Sequence, residues 1–247
     1  LGLWDEQSVT AAGEAAIEAG DRVFVEFYTS QLGGATLDDL ERYHDTQFEL
    51  RARAGVEEDP EPILDAARGG DAVFCTAGDA MIATTHVDLR LRAHVQGIET
   101  RVIHGTTAAS AAASSTGLQN YRFGKATTLP FQYGNASVPQ SVLDTIEGNR
   151  KLGLHTLVFL DIKAAEDRFM TADTAAGLLA EPLEDTLAIA VCRAGSPSPS
   201  VVAGHLRALA EREFGEPLHL LVIPGELHHL EAKSISTLHA GEVTISD

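Results

Sequence analysis

A chain of 247 residues, 44% hydrophobic and 22% charged, has room for one large domain or two smaller lobes around a sizeable buried core. No apolar run approaches the roughly 18 residues of a membrane span, and no signal-peptide pattern is present, so no membrane partner is expected and a cytoplasmic location is. Acidic residues outnumber basic ones 36 to 18, a formal charge of −18, which argues against nucleic acid as a partner because neutralising phosphates takes basic patches.

Helix and strand patterns alternate along the whole chain, as in an α/β protein. Apolar spacing predicts a helix over residues 9–19, stopped by Gly20, and a strand over 22–28. Thr36 is placed to cap a helix over Leu37–His44, with Asp39 in the reciprocal capping-box position. Pro62 near the start and Gly69 past the end bracket another helix. Ala72–Thr76 reads as a short buried strand, residues 85–95 as a helix closed by Gly97, and residues 100–104 as a strand. Residues 105–116 (GTTAASAAASST) are either a low-complexity linker or an Ala-rich helix that packs closely. In the second half, strands are predicted over 123–131, 156–161, 185–193 and His219–Ile223. Helices are predicted over 140–152, ending at Gly153, and over 199–214, closed by Gly215. A boundary near residue 106 divides an N-terminal α/β lobe, 1–106, from a C-terminal α/β lobe, 107–247, with no sequence repeat between them.

Residues 75–86, CTAGDAMIATTH, carry the most chemistry. The predicted strand breaks at Ala77-Gly78-Asp79 before a helix, so backbone amides and one carboxylate come to a strand's carboxyl end, where open α/β sheets bind ligands. Gly78 lets a ligand approach the backbone and Asp79 offers a charged acceptor. The same residues also read as a plain βα turn with Asp79 as a cap, and spacing alone tilts that way. Cys75 and Cys192 fall in apolar strands and are expected to be buried free thiols. No Cys/His spacing resembles a zinc site, so no metal is expected. His228 and His229 with Glu231 lack the i, i+4 geometry of a metalloprotease helix and read as a turn within PGELHHLEA. His86, His104 and His155, near predicted element ends, read as hydrogen-bonded structural histidines.

The string GDAMIATTHVDLRLRA at residues 78–93 resembles the GDPMVATTHADLRLRA-type segment of the diphthine synthases, methyltransferases of the tetrapyrrole-methylase superfamily. Further matches follow in the same order: FVEFYTS (24–30), VIH (102–104), TGLQNYRFGK (116–125), GLHTLVFLDIKA (153–164), RFMTA (168–172), CRAGSPSP (192–199) and VIPGELHHLEA (222–232). Together and collinear, they cover essentially the whole chain. The acidity is spread along the chain and only four basic residues are Lys (Lys125, Lys151, Lys163 and Lys233), which points to a halophilic, haloarchaeal-like member. At 1 M salt the screening length is only about 3 Å, so surface self-repulsion is largely removed.

The resemblance implies two lobes of the tetrapyrrole-methylase type with S-adenosylmethionine folded in a cleft between them, S-adenosylhomocysteine as product, and a homodimer. It places most of the family's first strand ahead of Leu1. Carried over by position, the cofactor contacts are Leu3, Asp79, Ile82, Thr107, Ala108, Leu160, Ala194 and His219. For Ile82 and Leu160 the plain reading is simple core. Residues 76–80 read TAGDA where the family has TPGDP, and 104–108 read HGTTA where it has His-Ala-Pro-Ser-Ile. Prolines that would stiffen both turns are therefore missing, which predicts a more mobile loop and weaker cofactor affinity. FQYGNASV at 131–138 replaces an aromatic-rich segment on the substrate side.

Methyl transfer from a sulfonium is an in-line displacement that needs a free lone pair and tight alignment rather than a nucleophilic residue or metal. In the resembled family the nucleophile is the amino group of a modified histidine on translation elongation factor 2, methylated repeatedly to a trimethylammonium. The amine must first lose a proton, and the sequence assigns no base for it. Two other readings stand beside this one: a related tetrapyrrole or small-molecule methylase, and a non-catalytic binding protein on the same fold.

Overall fold

Val23, Phe24 and Val25 fill the middle of β1 (Arg22–Glu26) and are all buried, so this strand needs cover on both faces. The computed structural model describes residues 1–132 and 137–239 and divides into two compact units. The first is Leu1–Ala108 with Ala164–Glu166, and the second is Ala109–Lys163 with Asp167–Asp247. In the first unit β1 lies between β2 (Phe48–Leu50) and β3 (Ala72–Thr76), parallel to both. Val23, Val25, Phe48 and Cys75 pack on one face with Ile17 of α1 (Ala11–Ala19) and Leu40 of α2 (Leu37–His44). Phe24 turns to the other face, against Val56 of α3 (Ala54–Glu57), Ile63 of α4 (Glu61–Gly69) and Leu89 of α5 (Val87–Val95). The period-two alternation of one short strand thus seeds two cores.

α2 begins as its sequence predicts. The Thr36 hydroxyl accepts from Asp39 N–H, and the Asp39 carboxylate accepts from Thr36 N–H at 3.0 Å. α4 starts at Glu61 with Pro62 in its first turn and ends at Gly69.

The second unit is built on a five-stranded sheet in the order β4 (Thr127–Leu129), β5 (Thr156–Leu160), β10 (His219–Ile223), β8 (Leu187–Cys192), β9 (Ser200–His205). β4 and β5 are parallel, and the other pairings are antiparallel. β6 (Ile162–Lys163) and β7 (Arg168–Phe169) make a separate two-stranded ribbon. Val158, Ala190, Leu221 and Ile223 face α7 (Gln140–Lys151), α8 (Ala172–Ala180) and α9 (Leu206–Ala210). Leu157, Ile189 and Val222 face α6 (Ala108–Thr116) and α10 (His229–Leu238). Cover on both faces explains the near-continuous apolar runs TLVFL and HLLVI.

The Ala-rich segment is a helix, not a linker. Ala112, Ala113 and Thr116 of α6 are buried, and the small side chains let the backbone lie close to the sheet. Both cysteines are buried free thiols, and burial pushes Cys75 up to about 11 and Cys192 up to about 12.

Three sequence expectations are corrected. The helix predicted over 199–214 is β9 followed by the short α9: adjacent Val201 and Val202 favour an extended chain, and all six residues of β9 pair along β8. The strand predicted over 100–104 forms no ladder among the described residues; this segment and β3 both line a cavity of about 500 Å³, with Val73, Cys75, Leu89 and Ile103 among its walls. The turn expected at PGELHHLEA opens α10, with His228 as N-cap and Glu231 in the reciprocal position. Glu231 is fully buried. It accepts from Gln119 N–H at 2.9 Å, His228 N–H at 2.8 Å, His155 Nε2–H at 3.1 Å and Arg122 Nη1 at 3.2 Å. One carboxylate therefore joins the loop after α6, the start of β5 and the start of α10.

Replacing Glu231 with Ala leaves His155 and Arg122 without their shared partner and is expected to cost about 3–5 kcal/mol in urea unfolding. Burial holds His44, His86, His155, His219 and His239 below the ordinary 6.5. The unfolded chain therefore binds more protons than the folded one once pH drops under 6.5, and stability present above that value is lost below it. The urea midpoint at about pH 5.5 should lie under that at about pH 7.5; equal midpoints would contradict the buried-neutral assignment. The −18 charge further predicts a lower melting temperature in about 0.1 M than in about 3 M KCl, as the screening length grows to about 10 Å.

Candidate functional site

Parallel strands β1 and β3 run in register from Arg22↔Ala72 to Glu26↔Thr76, so the loops that follow them leave the sheet side by side. After β3 the chain turns at Gly78, whose φ of +76° favours glycine. Gly78 N–H donates to Gly2 O at 2.7 Å and Gly2 N–H returns to Gly78 O at 3.4 Å, which brings Leu3 to this turn. A Cβ built on Gly78 meets nothing within 4 Å, so the backbone here fronts open space that a ligand can enter.

Asp79 is nearly buried. Its Oδ1 accepts from Met81 N–H at 2.9 Å, and its Oδ2 accepts from Gly105 N–H at 3.2 Å and pairs with His104 Nδ1 at 2.9 Å. Burial opposes the carboxylate charge, but the hydrogen bonds from Met81, His104 and Gly105 outweigh it and hold Asp79 below the usual 3.8. The carboxylate thereby joins the 78–82 turn to the segment carrying Thr107 and Ala108. The approach is close: a Cβ on Gly105 would lie 2.4 Å from Gly78 O. That contact leaves no room for a Cβ at residue 105.

Five of the expected contact residues are thus in the first unit, with Leu3, Asp79, Thr107 and Ala108 on segments joined by these bonds and Ile82, 46% exposed, on the same turn. The other three are in the second unit and gather at one end of its sheet. Leu160 ends β5, His219 begins the antiparallel β10 and pairs with Cys192, and Ala194 follows β8. Leu160 is core, as its plain reading has it. The His219 ring is fully used: Nδ1 accepts from Ala172 N–H at 3.1 Å, and Nε2–H donates to Glu216 O at 2.8 Å. Burial holds it neutral. Any ligand contact at this position is made by backbone or ring edge.

Beside the Asp79 turn, at the end of β1, stands a second cluster that the sequence reading did not single out. Glu26, fully buried, accepts from Tyr28 N–H at 2.9 Å, Thr29 N–H at 3.0 Å and the Thr29 hydroxyl. The Tyr28 hydroxyl lies 3.3 Å and Glu26 Oε1 3.7 Å from Nε2 of buried His86. Arg53 stacks over the Tyr28 ring at 4.7 Å. Burial, then the charges of Glu26 and Glu57, push the Tyr28 phenol up, against the opposing Arg53. Burial holds His86 low despite Glu26. The signal for this cluster was an acidic residue within the apolar run FVEFY, since Glu is almost never fully buried without partners. The segment 131–138 falls partly outside the described residues.

A model of the family described as Tetrapyrrole (Corrin/Porphyrin) Methylases matches residues 1–210. The chain is 63% identical to a diphthine synthase of Halorubrum lacusprofundi, over 95% of this chain and 93% of that one. It is 61% identical to a diphthine synthase of Natronomonas pharaonis, over 96% and 93%. Among solved structures it is similar to a crystal structure of diphthine synthase, with a TM-score of 0.90 and 32% identity over 97% of this chain and 93% of that one. With a family model spanning most of its length and full-length relatives at such identity, the chain belongs to the tetrapyrrole methylases and, within them, to the diphthine synthases.

Proposed function

We propose that the protein methylates the amino group of the modified histidine on translation elongation factor 2, with S-adenosylmethionine as donor and S-adenosylhomocysteine as product. The observation that carries this reading is the 63% identity to a diphthine synthase over nearly the whole chain. The open space at the Gly78 turn supports it, because a folded nucleoside is held chiefly by backbone approach and shape. The donor is proposed to contact Leu3, Asp79, Ile82, Thr107 and Ala108 from the first unit and Leu160, Ala194 and His219 from the second. Once bound, its sulfonium offers a methyl group with a good leaving group.

The residues of the turn then have one task, alignment. Asp79 holds the Met81 and Gly105 amides in place beside the open Cα face of Gly78. Ile82 presents apolar surface that a bound adenosine can cover. Among the described residues no group of His, Cys, Asp and Glu could hold a metal, and the displacement calls for none. No helix among them is long and apolar enough to cross a membrane. We place the reaction in a cytoplasm of high salt and the protein as a homodimer, on family resemblance. Scattering mass in molar KCl checks the dimer, and a monomer that still binds cofactor overturns it.

Purified protein in molar KCl is expected to bind S-adenosylmethionine by calorimetry and to methylate elongation factor 2 carrying the unmethylated intermediate. Mass spectrometry of the histidine peptide reads the product. Methylation of a small tetrapyrrole with none of the elongation factor would replace this reading with that of a small-molecule methylase. Asp79→Ala removes a charge-assisted acceptor from three donors and is expected to weaken cofactor binding about ten- to hundredfold, roughly 1.5–3 kcal/mol. Unchanged affinity with lowered melting temperature would mean that Asp79 serves the turn alone.

A further inference from the structure

Each early methylation of an amine needs a proton removed first; at the cofactor turn the Asp79 carboxylate is taken up by the Met81 and Gly105 amides and by the exposed His104 ring. The loop after β1 leaves the same end of the sheet and, with the last residue of β1 and the N-cap of α5, holds a graded set of groups. Tyr28 is partly exposed, His86 is 4% exposed, and Glu26 is completely enclosed. They are in contact in that order, from the surface inward, through the ring Nε2 of His86. The charged groups facing this set are Glu26 from β1, Arg53 at the N-cap of α3 and Glu57 from α3, with Phe74 of β3 and Leu89 of α5 closing the apolar sides. Arg53 and Glu57 are themselves paired at 2.9 Å, so their charges largely offset each other.

We propose that Tyr28 and His86, backed by Glu26, form the proton-accepting relay for the substrate amine. The proposal rests on the amine-methylating reading above. In this step an ammonium N–H bond of the substrate breaks and its proton goes to Tyr28 Oη as the phenolic proton goes to His86 Nε2. The electron pair stays on the substrate nitrogen as the lone pair that attacks the methyl group. The imidazolium so formed lies 3.7 Å from the Glu26 carboxylate, which lowers its cost in a buried setting. When product leaves, the proton returns outward along the same path to solvent, and the relay is reset for the next methylation.

Two chemical details fit this role better than that of a simple clasp. The phenol is pushed up by burial and by Glu26, so Tyr28 keeps its proton and passes one along without standing as a phenolate. Burial keeps the imidazole neutral near neutral pH, so it is ready to accept. Nδ1 of His86 is buried and meets no hydrogen-bond partner among the described residues, so the polar partners of the ring, the Tyr28 hydroxyl and the Glu26 carboxylate, are both at Nε2.

The test uses the full chain in molar KCl, with elongation factor 2 bearing the unmethylated intermediate. Tyr28→Phe keeps the ring under Arg53, and His86→Gln keeps an amide near Nε2 that cannot take a proton. Each is expected to bind S-adenosylmethionine within about threefold of the parent while single-turnover transfer falls about a hundredfold near pH 7, within the usual range for general base catalysis. The deficit should shrink toward pH 9, where more of the amine is free base, and the double variant should be no slower than either single one. Transfer within about threefold of the parent from pH 6 to 9 overturns the proposal. So does a pH-independent loss that tracks lowered melting temperature or cofactor affinity, the signature of a structural clasp. If the parent itself transfers no methyl to the elongation factor but binds cofactor, the amine-methylating reading fails, and the relay with it. A parent that transfers normally beside an unimpaired Tyr28→Phe sinks the relay alone.

Discussion

Three buried carboxylates hold the loops of this protein, and each works the same way. Glu26 accepts the N–H groups of Tyr28 and Thr29, Asp79 those of Met81 and Gly105, and Glu231 those of Gln119 and His228. Each also faces an imidazole, His86, His104 and His155 respectively. A chain leaving a sheet has amides that no further strand will bond, and burying them unpaired costs free energy. A carboxylate, with two oxygens and several lone pairs, satisfies two such amides and a side chain at once. Without these three anchors the loops that carry chemistry would be left with buried, unpaired amides.

The same device sorts the acidic residues into two populations. Most of the 36 face water and set the net charge, and their mutual repulsion depends on salt. The anchoring carboxylates are screened little by ions because they lie inside and are bonded at short range. High salt therefore acts on the surface while the geometry of the site is fixed by contacts that salt scarcely touches.

His155 and His86 show how one arrangement serves different ends. His155 is fully enclosed, accepts from Gly225 N–H at Nδ1 and donates to Glu231 at Nε2, so both ring nitrogens are committed. His86 meets Glu26 only at 3.7 Å and shares the same nitrogen with a partly exposed tyrosine. The first has no way to exchange a proton without breaking the fold, whereas the second can pass one through a hydroxyl.

What the sequence determined by itself was local. Capping pairs such as Thr36 with Asp39, the breaks at Gly78 and Gly97, and the apolar runs AVFCT and HLLVI are set by residues a few positions apart, and their elements lie where these signals put them. The α/β class and the gathering of Asp79 and Ile82 on one turn were legible for the same reason. Tertiary structure decided the rest. Whether 199–214 became strand or helix depended on β8 offering a six-residue partner, and whether 105–116 became linker or helix depended on a sheet face that small side chains could approach. Gln119 and Glu231 meet across 112 residues of chain, and Tyr28 and His86 across 58. No periodicity encodes such meetings. A buried glutamate and an expected structural histidine acquire a shared function only when folding puts their atoms side by side.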